Sequence, residues 1–253
     1  MPLLSFRSVD VRYGDLYALQ GASFDVSNGE RVALIGPSGA GKSTLLGVAS
    51  ARVTPSAGQA TFQGIPIVDT DQWRKTHGPQ IGTIHQQLHL VGSLKVVHNV
   101  NAGRLAHWSA PKALWSLISP RESSRARSAL AAVGISDKIS TRTDRLSGGE
   151  QQRVAIARVL VQDPVLVLAD EPVSSLDPAR ADDVMSLLVT HTKPDCALVV
   201  SVHTFSLARK YCDRIIGLRG GAVMFDRAAQ HVSDADAQEL YRIPGAAQFA
   251  TGT

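Results

Sequence analysis

The chain has 253 residues, 44% of them apolar, enough to bury a sizeable core and to exclude an intrinsically disordered chain. Its net charge of +4 is scattered rather than gathered into a basic block, so it offers no nucleic-acid arm and fits anionic partners such as phosphates or lipid surfaces. No run approaches the roughly eighteen apolar residues of a bilayer span, and the start "MPLLSFRSVDVRYGD" lacks the features of a secretory signal, so residence in the cytoplasm is expected.

In chain order, the first thirty residues alternate apolar and polar ("LLSFRSVDVRY", "ASFDV"), which predicts half-exposed antiparallel strands. "RVALIG" follows, a short apolar run suited to a parallel strand buried on both faces, and similar runs recur at "VLVLAD" and "ALVVSVH", each before a helical pattern. That alternation predicts an α/β fold with an antiparallel strand group attached. Between about 86 and 162 the spacing turns helical, as in "ESSRARSALAAVG", and predicts an inserted helical subdomain. Near the end, "DRIIGLRGGAVMFD" predicts two strands about a Gly-Gly turn, and "SDADAQELYR" a capped short helix. Cys196 and Cys212 have no spacing that suggests zinc or a disulfide framework and are expected to be buried free thiols.

"VALIGPSGAGKST" carries GxxxxGK[ST] between a predicted strand and a predicted helix, the context a P-loop requires. Its residues Gly36, Pro37, Ser38, Gly39, Ala40, Gly41, Lys42, Ser43 and Thr44 form the expected phosphate cradle. The glycines let backbone N–H groups converge on phosphate, and the helix beginning near Gly41 aims its positive end at the same anion. Lys42 is expected to reach the outer phosphates and Ser43 to bind magnesium. A carboxylate is also needed. Asp170, at the end of "VLVLAD", is the candidate metal ligand, and Glu171 the candidate general base; a solvated acidic turn before Pro172 is the plainer reading of the same pair.

"LSGGEQQR" at 146–153 is an odd way to begin a helix, because glycine weakens a helix by about 1 kcal/mol relative to alanine. A Ser-Gly-Gly at a helix start exposes free N–H groups and a hydroxyl, a second anion site in a chain with one P-loop.

With these motifs the sequence resembles the ATP-binding cassette (ABC) family, whose LSGGQ signature stands here as Leu146, Ser147, Gly148, Gly149 and Glu150. The resemblance implies an α/β P-loop NTPase of ABC type: a mostly parallel core sheet, an antiparallel β-subdomain and an inserted α-helical subdomain. All of it would form one ATP-binding domain over 1–253, with a C-terminal tail at 228–253. It implies head-to-tail dimers in which the signature of one copy closes on ATP held by the P-loop of the other. Tyr13 matches the aromatic that stacks on adenine, Gln86 the glutamine that senses magnesium and the attacking water (with Gln87 an adjacent alternative), Asp177 in "SSLDP" the loop aspartate, and His203 the switch histidine. Cofactors implied are ATP and Mg2+, the metal held by Ser43, Gln86 and Asp170.

Within that family the chain is most similar to the phosphonate-import ATPases (PhnC), through "NVNAGRLAHWSAPKALWSL", "LADEPVSSLDP" and "VHTFSLARKYCDRIIGLRGGAVMFD". It departs from them at Leu88, His89 and Thr204. The likeness implies membrane permease subunits as partners, a substrate-binding protein acting indirectly, and a peripheral position at the cytoplasmic face of the cell membrane. An ABC ATPase for another cargo (amino acids, a metal chelate, lipoprotein release) is the nearest alternative. Soluble ABC ATPases of DNA repair or translation carry long coiled coils or two cassettes, and a P-loop kinase has no use for the signature.

Overall fold

The apolar run before the phosphate loop becomes β3 (Arg31–Ile35), a central strand of a six-stranded sheet. Across that sheet the order is β10 (Ala222–Ala228), β9 (Arg214–Arg219), β3, β8 (Ala197–Ser201), β7 (Leu166–Ala169) and β6 (Ile81–Ile84). All pairings are parallel except that of β10, which closes one edge as an antiparallel hairpin with β9. Parallel pairing brings the carboxyl ends of β3, β6, β7 and β8 to one edge, the position where open α/β sheets bind ligands. A second, antiparallel sheet has the order β2 (Leu16–Val26), β1 (Leu4–Tyr13), β4 (Ala57–Phe62), β5 (Ile65–Pro66). The computed structural model describes residues 1–108, 123–174 and 176–242.

The period of two along the parallel strands divides the interior. Ala33, Ile35, Val167, Ala169, Leu198 and Val200 point into one core, shared with α3 (Val96–Asn101), α4 (Ser123–Ala132), α5 (Gly148–Gln162) and α6 (Pro178–His191). Val32, Leu34, Leu166, Leu168 and Val199 point into the other, where they meet α1 (Lys42–Ala49), α2 (Asp71–His77) and the inner face of the antiparallel sheet. Phe6, Leu19, Leu45, Leu46 and Phe62 are at most 1% exposed there, each worth roughly 2 kcal/mol of apolar burial. The remaining helices, α7 (Phe205–Tyr211) and α8 (Asp234–Tyr241), close the end beside β9 and β10.

Among the described residues of the 86–162 stretch there is no strand, only helices, 3-10 turns and an isolated bridge between Lys95 and Arg142. Residues 109–122 of the helical stretch and 243–253 of the tail lie outside the described residues. The "SDADAQELYR" helix forms with a capping box: Ser233 Oγ accepts from Asp236 N–H (3.2 Å) and Asp236 Oδ2 accepts from Ser233 N–H (2.9 Å). Among the described residues no helix is long and apolar enough to cross a membrane.

Candidate nucleotide site

The phosphate loop leaves β3 at Gly36 and enters α1 at Lys42. Glycine is obligatory at both ends for steric reasons. A Cβ at Gly36 would lie 2.0 Å from the Leu218 carbonyl oxygen, and one at Gly41 2.4 Å from that of Ala18, with φ at +101° besides. Between them Ser38 and Gly39 are exposed and Ala40 is buried, so the loop arches over its own floor. Lys42 is 5% exposed, and its Nζ donates to the carbonyls of Gly36 (2.8 Å) and Pro37 (3.1 Å). Burial lowers its pKa below the ordinary lysine value, opposed by the charges of Glu171 and Asp170. The ammonium is thus aimed by its own loop toward the acidic strand end 4.0 Å away, at Glu171 Oε1.

That strand end is held from beneath. Ser201, fully buried on β8, donates from Oγ to Asp170 Oδ1 at 2.8 Å and accepts from the Glu171 N–H at 2.7 Å. Glu171 adopts φ +46°, a left-handed backbone that non-glycine residues rarely take and that recurs at functional turns. Its Oε1 meets His203 Nε2 at 2.7 Å. Asp170 and Glu171 at the end of β7 and His203 beyond the end of β8 therefore form one constellation with Lys42.

A hollow of about 750 Å³ opens beside the loop, lined by Tyr13, Tyr17, the loop from Ser38 to Thr44, Gln86 and Glu171. Gln86 is on this lining, and Gln87 is not among the residues that line it. Next to it, Arg52 Nη1 lies 3.1 Å from His85 Nδ1, and burial foremost, helped by the Arg52 charge, pushes the His85 imidazole down to about 4, leaving it neutral. Ser43, Gln86 and Asp170 offer a hydroxyl, an amide oxygen and a carboxylate, hard oxygen donors of the kind magnesium takes. Tyr13 and Tyr17 both offer an exposed ring to the hollow; the Tyr17 ring carries the Arg12 guanidinium at 5.3 Å.

The signature is not part of this hollow. Ser147 is the N-cap of α5 in a reciprocal capping box, with Glu150 N–H donating to Ser147 Oγ (3.3 Å) and Ser147 N–H to Glu150 Oε2 (2.8 Å). That backbone hydrogen bond is the main reason the Glu150 carboxyl titrates below its usual range. Ser147, Gly149 and Glu150 line a separate recess of about 260 Å³ with Leu176 and Arg180. A Cβ on Gly148 or Gly149 would meet nothing within 4 Å. Unlike Gly36 and Gly41, these glycines are not demanded by any close approach among the described residues. Asp177 caps α6, accepting from the Arg180 N–H at 3.1 Å.

Among the residues that sequence reasoning missed are Ser201, beneath the acidic strand end, and Tyr17, on the lining of the hollow. Ser201 had a readable signal, a hydroxyl inside the apolar strand "ALVVSVH" directly across from the acidic strand end. Tyr17, on β2, had only the exposure of its ring.

A family model described as "ABC transporter" matches residues 19–174. The chain is 48% identical over 241 residues to "Phosphonates import ATP-binding protein PhnC" of Anaeromyxobacter dehalogenans (strain 2CP-C), covering 95% of this chain and about half, 48%, of that relative's length. It is 42% identical over 246 residues to "Phosphonates import ATP-binding protein PhnC 1" of Pseudomonas syringae pv. syringae (strain B728a), covering 94% of this chain and 91% of the relative. Among solved structures it is similar to the dimeric post-hydrolysis state of the ATP-binding cassette MJ0796 bound to ADP and Pi, with 28% identity, a TM-score of 0.73, and coverage of 90% of this chain and 100% of that one.

Proposed function

The chain belongs to the ABC transporter family of ATP-binding cassettes, and on that premise we propose that it is the ATP-hydrolysing subunit of an importer for phosphonates or the related oxyanions phosphite and phosphate. The relatives' names support the cargo class. The observation that carries the mechanism is the contrast between the two sets of glycines: Gly36 and Gly41 are demanded by neighbouring carbonyls, whereas a Cβ added at Gly148 or Gly149 would clash with no neighbouring group among the described residues. Bare glycines at a helix N-terminus leave room for a phosphate of ATP held by a second copy, which is how a dimer would complete each site.

In this reading the backbone amides from Gly36 to Thr44 and the Lys42 ammonium hold the phosphates, and the adenine stacks on Tyr13. Magnesium would be held by Ser43, Gln86 and Asp170, where it would offset phosphate charge. Glu171 polarises the attacking water, and His203 orients the Glu171 carboxylate through their 2.7 Å contact. Ser201 keeps Asp170 and Glu171 in register through its two hydrogen bonds. Ser147, Gly148 and Gly149 of the second copy cap the far side, with Glu150 maintaining the helix start and Asp177 lying across the dimer. The 86–162 helices, following Gln86, form the docking surface for membrane permease subunits, so that one ATP-binding domain works peripherally at the cytoplasmic face of the membrane. A separate binding protein delivers the solute and does not touch this chain.

The test is reconstitution of the chain with its membrane subunits and binding protein in lipid vesicles. ATP turnover should rise several-fold on adding a phosphonate, phosphite or phosphate and not on adding an amino acid or a metal chelate. Stimulation by one of those other cargoes alone would overturn the cargo class, and absence of ATP turnover under every condition would overturn the ATPase.

A further inference from the structure

Beyond the family-matched residues 19–174, the C-terminal helix α8 reaches back to the nucleotide site. It is fastened to the core at several points. Arg209 Nη2 donates to Asp234 Oδ1 (2.9 Å) and to the Val232 carbonyl (2.8 Å). Arg227 Nη1 donates to Asp236 Oδ1 (2.8 Å), and Arg219 Nη1 to the Glu239 carbonyl (2.8 Å). Leu240 is buried beneath. These anchors come from α7, β10 and β9, so the helix is held from three elements and not merely appended.

Its last residue, Tyr241, ends among the reacting groups. The phenol donates to the backbone carbonyl of His203 at 3.4 Å. The ring packs edge-on against Phe205, centroids 6.2 Å apart at 75°. Burial first, and Glu171 in addition, raise the phenol's pKa, so it remains a neutral donor at physiological pH.

Resting on the ATPase reading above, we propose that Tyr241 is a positioning residue: its phenol holds the His203 backbone carbonyl while its ring packs against Phe205 two residues on, and so fixes His203 against Glu171. A side chain that holds His203 through its backbone carbonyl constrains where the imidazole sits without contacting substrate. Its loss should therefore lower turnover more than nucleotide affinity.

The experiment compares Tyr241→Ala and Tyr241→Phe with the unaltered full chain assembled with its membrane subunits. ATP turnover and amide hydrogen exchange of residues 202–206 are both measured. Tyr241 lies at a helix end and is 38% exposed, so both variants should fold. Removing a single neutral hydrogen bond corresponds to about threefold in kcat, and removing the ring as well to about tenfold. The expected result is that loss in kcat with KM for ATP within about twofold, faster exchange at 202–206, and the phenylalanine variant intermediate. Faster exchange with unchanged kcat would reduce Tyr241 to packing and overturn the proposal. So would a rise in KM at constant kcat, or no change in either readout. A wild-type complex that hydrolyses no ATP would instead overturn the ATPase reading, and the wild-type control separates that failure from the others.

Discussion

The Ser201 hydroxyl donates to Asp170 Oδ1 at 2.8 Å and in the same position receives the Glu171 N–H at 2.7 Å. One buried oxygen thus sets both the side chain of the candidate metal ligand and the backbone of the candidate base. Removing a buried hydroxyl with two hydrogen-bond partners costs about 1–3 kcal/mol of stability. Ser201→Ala should therefore fold with a lowered melting temperature, and kcat should fall about tenfold as Asp170 and Glu171 lose their common anchor. Melting curves and steady-state turnover check both; full activity in a destabilised variant would confine Ser201 to the core.

How far the sequence announced this arrangement depended on whether a group's partners lay close in the chain. Strands β3, β7 and β8 were legible because a parallel strand buried on both faces must be apolar throughout, and the motif residues were legible because they sit at the ends of such strands. The α5 start was legible too, since the capping box spans only Ser147 to Glu150. By contrast β4, β5 and α2 were not read: β4 is short, half its residues are exposed, and its register with β1 breaks between Arg7 and Asp10. Ser201 and Tyr241 escaped because their meaning lies in partners 31 and 38 residues away in sequence.

Glu171 is the only acidic side chain among the described residues that contacts both Lys42 (4.0 Å) and His203 (2.7 Å). Glutamine preserves its shape and the φ +46° backbone while losing basicity. Glu171→Gln should bind ATP within about twofold of the parent and lose at least about a hundredfold in turnover, the range a general base contributes. Nucleotide titration together with single-turnover hydrolysis measures the two separately. Brisk hydrolysis by the variant would remove Glu171 from that role.

Lys42 is buried and spends its donors on Gly36 and Pro37, so its charge is presented at a fixed point of the hollow. Lys42→Ala removes the only ammonium lining that hollow among the described residues. Affinity for ATP should fall at least about tenfold, equivalent to about 1.4 kcal/mol, with the loss smaller for ADP. Titration with a fluorescent nucleotide provides the measurement, and unchanged affinity would count against the phosphate role.

Both cysteines are shielded. Burial foremost raises the Cys196 thiol to about 11 and the Cys212 thiol to about 12. A raised pKa means the protonated, unreactive form persists below that pH; at pH 8 the Cys196 thiolate is about one part in a thousand. Alkylation of the native chain should accordingly take hours at pH 8, accelerate as pH approaches the raised values, and reach both sites at once in denaturant. Intact mass spectrometry follows the course, and stoichiometric labelling of the native chain within minutes would contradict the burial.

Gly149 provides the sharpest separation of stability from function. Its Cβ position is open, so Gly149→Ala meets no clash and gains helix propensity, at most about 1 kcal/mol near a helix start. Gly41→Ala, in contrast, drives a methyl 2.4 Å from the Ala18 carbonyl at φ +101° and should unfold the loop. If the signature glycines serve a second copy's ATP, Gly149→Ala should melt at or above the parent temperature yet lose most ATP turnover, with binding to the isolated chain unchanged. Mixing it with Lys42→Ala should then restore part of the activity, because half of the mixed sites combine an intact phosphate loop with an intact signature. No recovery on mixing, or full activity in the Gly149→Ala homodimer, would show that each chain hydrolyses ATP by itself.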